Sequence, residues 1–258
     1  MAGFREGERG TLTPSGLSPA STAMRNLGGK RTLPRQSGAI DYWRQHLHDE
    51  GMDCYIFDLD GTLIDSEPAC SQALLDLLPD LNDDLSVLIG RYRGKRLADI
   101  CADVETRIGC SLPVAFEKSY RARVAEIFES ELQAMPGAVE ALGAVNQPMC
   151  VASSGPVSKI RHALDLVGLS RFFGQNIFSS YDVGSWKPDP GLFLYAANAM
   201  RVAPSRCVVI EDSSVGIAAA LSAGMRAVQY LPHEGHPAAD GAFVIHDLRQ
   251  LAGVRFDN

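Results

Sequence analysis

The second half of the chain alternates short apolar runs with helical stretches, and that alternation leaves few folds open. Runs at Met149–Ser153, Asn176–Phe178, Cys207–Asp212 and Ala227–Tyr230 read as strands, with helical spacing over roughly 137–145, 156–167, 189–200 and 214–223. A connection long enough to hold a helix returns the next strand in the same direction, so these strands belong in one parallel sheet covered on both faces. An earlier run, CYIF at Cys54–Phe57, has the same buried, β-branched and aromatic texture. The expected fold is therefore α/β, a Rossmann-like parallel sheet with helices on both faces, in which ligands gather beyond the carboxyl ends of the strands.

Between the first strand and the rest, the texture changes to helical periodicity. Ala73, Leu74, Leu77 and Leu78, then Leu97, Ile100, Val104 and Ile108, then Tyr120, Val124, Ile127, Phe128 and Leu132 recur on helical faces. An inserted all-helical cap domain over 67–133 follows, with 40–66 and 134–258 forming the α/β core. Residues 1–39 are rich in Gly, Ser, Pro, Thr and Arg without periodicity and read as a disordered N-terminal tail. Ile40–Glu50 reads as an amphipathic turn packing Trp43 and Leu47 on the body, and Met52 as an alternative start.

A formal charge of -7 and a pI near 5.4 speak against nucleic-acid or membrane-surface partners. The six cysteines, at 54, 70, 101, 110, 150 and 207, form no C-x-x-C pair and suit reduced core thiols. No apolar run approaches the length that spans a bilayer. A cytoplasmic protein, monomer or homodimer, is expected.

Function is concentrated where the strands end. Cys54–Phe57 runs into Asp58 and Asp60 in the stretch DLDGTLIDSE. Two carboxylates beside an apolar sheet repel each other and are costly to desolvate, so they require a cation, a basic partner or a shared proton. The strand at 149 ends in Ser153 and Ser154 with Gly155 and Pro156 opening a helix, which offers hydroxyls and free backbone N–H groups to an anion. The strand at 207 ends in Glu211 and Asp212, and Lys187 stands before Pro188 at a helix entrance. Paired acids from two strand ends suit Mg²⁺, which binds through carboxylates, substrate phosphate and water. One of the first two acids can then be a nucleophile and the other, its pKa raised by the neighbouring acid, a proton carrier. A calcium loop is disfavoured, because Thr62 and Ala69 stand where that loop needs ligands. Arg91, Arg93, Lys95 and Arg96, between helices of the insert, are candidate contacts for an acidic substrate, whereas His233 and His236 read as solvated loop residues.

DLDGTLIDSE, the Ser153 strand end, Lys187 and IEDSSVG at Ile210–Gly216 together resemble the four motifs of the haloacid dehalogenase superfamily, in the order of its phosphatases with a helical cap. The resemblance runs from residue 52 to the end. It implies that Asp58 forms an aspartyl phosphate, that Asp60 is the general acid and base, that Ser153 binds the phosphoryl group and that Lys187 neutralises it. Mg²⁺ would be held by Asp58, the Asp60 carbonyl and Asp212, with Glu211 acting mostly through water. Pro148–Ile160, Ser179–Phe193 and Tyr120–Leu132 are most similar to members acting on 6-phosphogluconate. The expected activity is thus a Mg²⁺-dependent phosphatase of a small phosphorylated metabolite, a sugar phosphate or sugar acid phosphate. The alternatives are a phosphosugar mutase, which the threonine of DLDGT disfavours, and a non-catalytic metabolite-binding regulatory protein, for which the intact acids give no support.

Overall fold

The computed structural model describes residues 52–232 and 237–253. The expectations for the N-terminal tail, for Ile40–Glu50 and for His233 and His236 fall outside the described residues. The strands are β1 (Cys54–Phe57), β2 (Met149–Ser153), β3 (Ile177–Ser179), β4 (Cys207–Glu211), β5 (Arg226–Tyr230) and β6 (Phe243–Ile245). They form one parallel sheet in the order β3-β2-β1-β4-β5-β6, so the strand that leads into Asp58 is central. Tyr55 pairs with Met149 on one side and Val208 on the other, which brings the ends of β1, β2 and β4 level.

Helices α1 (Glu67–Leu77), α2 (Leu85–Tyr92), α3 (Leu97–Ile108) and α4 (Phe116–Glu131) intervene between β1 and the remaining strands. The sheet is covered by α5 (Ala138–Ala144), α6 (Val157–Leu166), α7 (Ser170–Phe173), α8 (Ser180–Val183), α9 (Gly191–Met200) and α10 (Ser214–Ser222). Period-2 alternation sends neighbouring residues of each strand into two cores. Tyr55, Phe57, Val151, Val208 and Ile210 meet Ile160, Leu164 and Phe173 on one face. Cys54, Ile56, Cys150, Ala152, Cys207 and Val209 meet Leu192, Phe193, Ala196, Ile217 and Ala220 on the other. This two-sided burial is why the strands read as continuous apolar runs. The six cysteines are free thiols.

The helical insert leaves and rejoins the core at one place. Asp65 N donates to the Gln133 carbonyl at 3.0 Å and Met135 N to the Leu63 carbonyl at 2.9 Å, around an antiparallel bridge between Ile64 and Ala134. Pro68 opens α1, where its missing N–H costs nothing. α3 ends on Gly109 at φ 73°, a left-handed turn that lets the chain reverse towards α4. The inner faces of α1 to α4 bury Leu74, Leu88, Val104, Tyr120, Val124, Ile127 and Phe128 in a core continuous with that of the sheet. No helix among the described residues is long and apolar enough to cross a membrane.

Candidate active site

The backbone that positions the acids is tightly specified. Asp58 N donates to the Ile210 carbonyl at 2.9 Å and so continues the β1–β4 pairing one residue beyond β1. The chain then turns sharply, Leu63 N and Ile64 N both reaching the Leu59 carbonyl at 2.9 and 3.1 Å. Gly61 takes φ 82° in that turn, and a Cβ there would stand 2.5 Å from Asp212 Oδ2. Both the turn and the approach of the second acid therefore require glycine.

Asp58, Glu211 and Asp212 are buried, and each offers an oxygen such that the three lie within 4.8 Å of one another. Lys187 bonds Asp58 Oδ1 and, at 2.9 Å, Glu211 Oε1. Glu211 Oε2 accepts from Ser213 Oγ at 2.8 Å, and Ser213 Oγ accepts in turn from Gly216 N at 3.2 Å at the start of α10. Asp212 Oδ1 accepts from Thr62 Oγ1 at 3.3 Å. Burial, opposed by Lys187 and reinforced by Glu211 and Asp60, pushes the Asp58 carboxyl up to about 7. Burial and then the charges of Glu211 and Asp58 raise Asp212 well above the carboxylate range. For Lys187 burial works against the charged form, yet the attraction of Asp58 and Glu211 outweighs it and holds the ammonium protonated. Two of the three buried acids share one lysine and the third has, among the described residues, only the Thr62 hydroxyl on its side chain, and the negative charge left on this hard oxygen set fits a divalent cation.

Asp60 faces a different environment. Its Oδ1 accepts from Ser66 Oγ and from Lys159 Nζ, each at 2.6 Å. From the sequence the neighbouring acid is expected to raise this carboxyl; burial does work in that direction, but Lys159 and the Ser66 hydroxyl prevail and hold it below its ordinary value. Ser66 precedes α1 and makes no side-chain cap to that helix, its hydroxyl being directed to Asp60. Two acids one residue apart are thus assigned to different partners. The Asp60 side chain is not part of the oxygen cluster.

A cavity of about 990 Å³ lies between these strand ends and the insert. Ser153 and Ser154 line its floor with Asp58, Asp60, Lys187, Glu211 and Asp212. Ser153 is 1% exposed, and its Oγ accepts from Gly155 N at 3.1 Å. Arg93, Lys95 and Arg96 line the opposite wall, but Arg91 does not. Arg91 lies on the last turn of α2 with its guanidinium 3.5 Å from Asp103 on α3. Arg93 is clamped on Glu67, with Nε at 2.9 Å from both carboxylate oxygens, Arg96 bonds Asp99 at 2.6 and 2.8 Å, and Lys95 Nζ stands 5.8 Å from the Tyr92 ring centroid. The structure adds residues the sequence did not single out: Lys159 on the first turn of α6, and Arg121, Tyr181 and Trp186 on the wall. Arg121 bonds the Tyr181 hydroxyl at 2.6 Å, joining α4 to α8, and the Tyr181 and Trp186 rings meet edge to face at 5.7 Å.

A parallel sheet whose central strand ends in a buried acid, joined by acids and a lysine from other loops beneath a helical insert, defines a class of hydrolase. The family model of the haloacid dehalogenase-like hydrolases matches residues 52–224, and the chain belongs to that family. Among its relatives, 6-phosphogluconate phosphatase of Escherichia coli (strain K12) is 37% identical over 187 residues, covering 70% of this chain and 85% of that protein. Hexitol phosphatase A of the same organism is 28% identical over 226 residues, 79% of this chain and 95% of that one. Among solved structures, a haloacid dehalogenase family hydrolase of Deinococcus radiodurans R1, with bound phosphate and sodium, superposes with TM-score 0.64 at 30% identity, over 80% of this chain and 98% of the other.

Proposed function

We propose that the chain is a Mg²⁺-dependent phosphatase that hydrolyses the phosphate ester of a small sugar or sugar acid through an aspartyl phosphate on Asp58. The observation that carries this reading is the division of labour between the two acids of DLDGT: one lies in the buried oxygen cluster beside Lys187, the other is held apart by Ser66 and Lys159. Asp58 attacks phosphorus and the bond to the ester oxygen breaks, while Asp60 gives that oxygen a proton. Asp60 then takes a proton from the water that attacks phosphorus, phosphate leaves and Asp58 is restored. Ser153 and the backbone N–H groups at the start of α6 bind the phosphoryl oxygens, and Lys187 offsets their charge. Asp58, Glu211, Asp212 and the Asp60 carbonyl would hold the cation, with Glu211 reaching it through water. Bound Mg²⁺ would supply neutralisation of the phosphoryl group and the surrounding acids.

The substrate class rests on the relatives named as phosphatases of 6-phosphogluconate and hexitols, together with the cavity wall. Arg93, Lys95, Arg96 and Arg121 line the same cavity as the acids, a space large enough for a six-carbon phosphate, and cations of this kind suit a substrate with a carboxylate or hydroxyls at its far end. The test is inorganic phosphate release from a panel of phosphorylated metabolites with Mg²⁺ or with EDTA. Turnover is expected only with Mg²⁺, with sugar and sugar acid phosphates ranking first in kcat/KM. Asp58→Asn is expected to lose at least about 10³-fold. Near-normal turnover in that variant overturns the mechanism; isomerised sugar phosphate without phosphate release identifies a mutase instead.

A further inference from the structure

In the chemistry proposed above Lys159 moves no proton and binds no phosphoryl oxygen, although its side chain is only 23% exposed and its ammonium lies 2.6 Å from Asp60 Oδ1. The same ammonium stands 5.9 Å from the centroid of the Phe128 ring on α4, and a Cβ on Gly155 would come within 3.9 Å of it. Lys159 therefore occupies the seam where the insert, the loop after β2 and Asp60 meet. Ser66 Oγ bonds the same Oδ1, and among the described residues Asp60 Oδ2 accepts no hydrogen bond. Asp60 lines the cavity, and its unbonded oxygen is the one with an acceptor position left for a ligand.

We propose that Lys159 is a positioning residue for Asp60: together with Ser66 it pins Oδ1 and leaves Oδ2 to carry the proton exchanged with the leaving oxygen and with water. The inference rests on the phosphatase reading of Asp60. As the bond between phosphorus and the ester oxygen breaks, the proton on Oδ2 passes to that oxygen, and Asp60 acquires a full negative charge beside the ammonium. Two bonds on Oδ1, one from each side of the cavity seam, keep the carboxyl plane from turning, so that Oδ2 holds one position through both proton transfers. In the second half of the reaction the proton of water returns to Oδ2. Lys187 cannot serve both acids, because Asp58 and Glu211 already hold its ammonium. Nor is stability a sufficient reason for the charge, since an apolar side chain against Phe128 would avoid the desolvation that an ammonium incurs.

The test compares kcat/KM on p-nitrophenyl phosphate, whose leaving group departs without a proton, with that on the alkyl phosphate of the panel that is turned over fastest. Lys159→Met is expected to lose about 30-fold on the alkyl ester and less than about 3-fold on the nitrophenyl ester. Lys159→Arg, which keeps a donor and the charge, is expected to recover most of the alkyl-ester activity. Equal losses on both esters, or Lys159→Met indistinguishable from wild type, overturn the positioning while leaving the phosphatase reading intact. A wild type inert towards every ester overturns the phosphatase reading and the positioning with it. Should Lys159→Met fail to fold, Lys159→Gln is read by the same criteria.

Discussion

Gly216 shows how closely the acid cluster is built. It is not in a left-handed conformation, so its constraint is purely one of space: a Cβ there would lie 1.9 Å from Glu211 Oε1 and 2.0 Å from Glu211 Cδ. Glu211 could not stay, and with it would go the second partner of Lys187 and the acceptor of Ser213 Oγ. Gly216→Ala is expected to destabilise the protein by about 1–3 kcal/mol, the usual range for overpacking a buried site. Phosphate release should fall further than that stability loss explains, since the displaced group stands beside the proposed nucleophile. Thermal unfolding and kcat measured on the same preparation check both parts. At this scale the site was legible wherever a residue sits at a strand end. Asp58, Ser153, Glu211 and Asp212 could be placed because the runs before them are unmistakably buried. The basic run was less legible, because whether a cation belongs to the last turn of a helix or to the loop after it decides where it points. Arg91 falls on one side of that boundary and Arg93 on the other. Lys159 carried no signal, since a single lysine on an amphipathic helix has no pattern to distinguish it from a solvated one.

Among the elements, β1 has the strongest claim on both fold and site. It is bonded on both sides, its four residues are buried, and its end fixes Asp58. Phe57 is fully buried and meets Phe173 edge to face at 6.1 Å. Phe57→Ala is expected to cost about 3–5 kcal/mol, whereas Val244→Ala, a half-buried position in the edge strand β6, should cost about 1 kcal/mol or less. Urea unfolding resolves the difference, and equal costs would mean that the sheet is not organised around its central strand. The same contrast explains which elements could be read from sequence. A strand covered on both faces carries an apolar run, and the longer helices carry their period. β6 has three residues, and α7 and α8 have four each, too few to display any period. They are held by their neighbours: β6 by pairing along β5, α8 by the Ser179 hydroxyl that accepts from Tyr181 N at 3.1 Å.

For the molecule as a whole, the acid cluster sets a conflict between folding and function. The Asp58 carboxyl, raised by burial from 3.8 to about 7, binds its proton more tightly in the folded chain than in the unfolded one. Its contribution to stability is therefore full below pH about 4 and is lost as pH rises towards about 7. Asp60 has the opposite sign: held below its ordinary value, it contributes above the unfolded pKa, and that contribution is lost as pH falls through the folded one. Comparison with Asp58→Asn isolates the first effect. In EDTA, the thermal midpoint of wild type relative to that of Asp58→Asn should decline between pH 5 and pH 7.5. A cation bound by the ionised acids reverses the disadvantage, because it binds the folded chain alone. At a concentration about 100-fold above its dissociation constant it adds roughly 2.7 kcal/mol, or about 5–10 °C for a chain of this size. Mg²⁺ at pH 7.5 should produce that rise in wild type and little of it in Asp212→Asn. The variant, with one fewer ionisable group in the buried cluster, should be no less stable than wild type in EDTA. Scanning calorimetry of both proteins with and without Mg²⁺ decides the matter, and an equal rise in the two would place the cation somewhere other than among Asp58, Glu211 and Asp212.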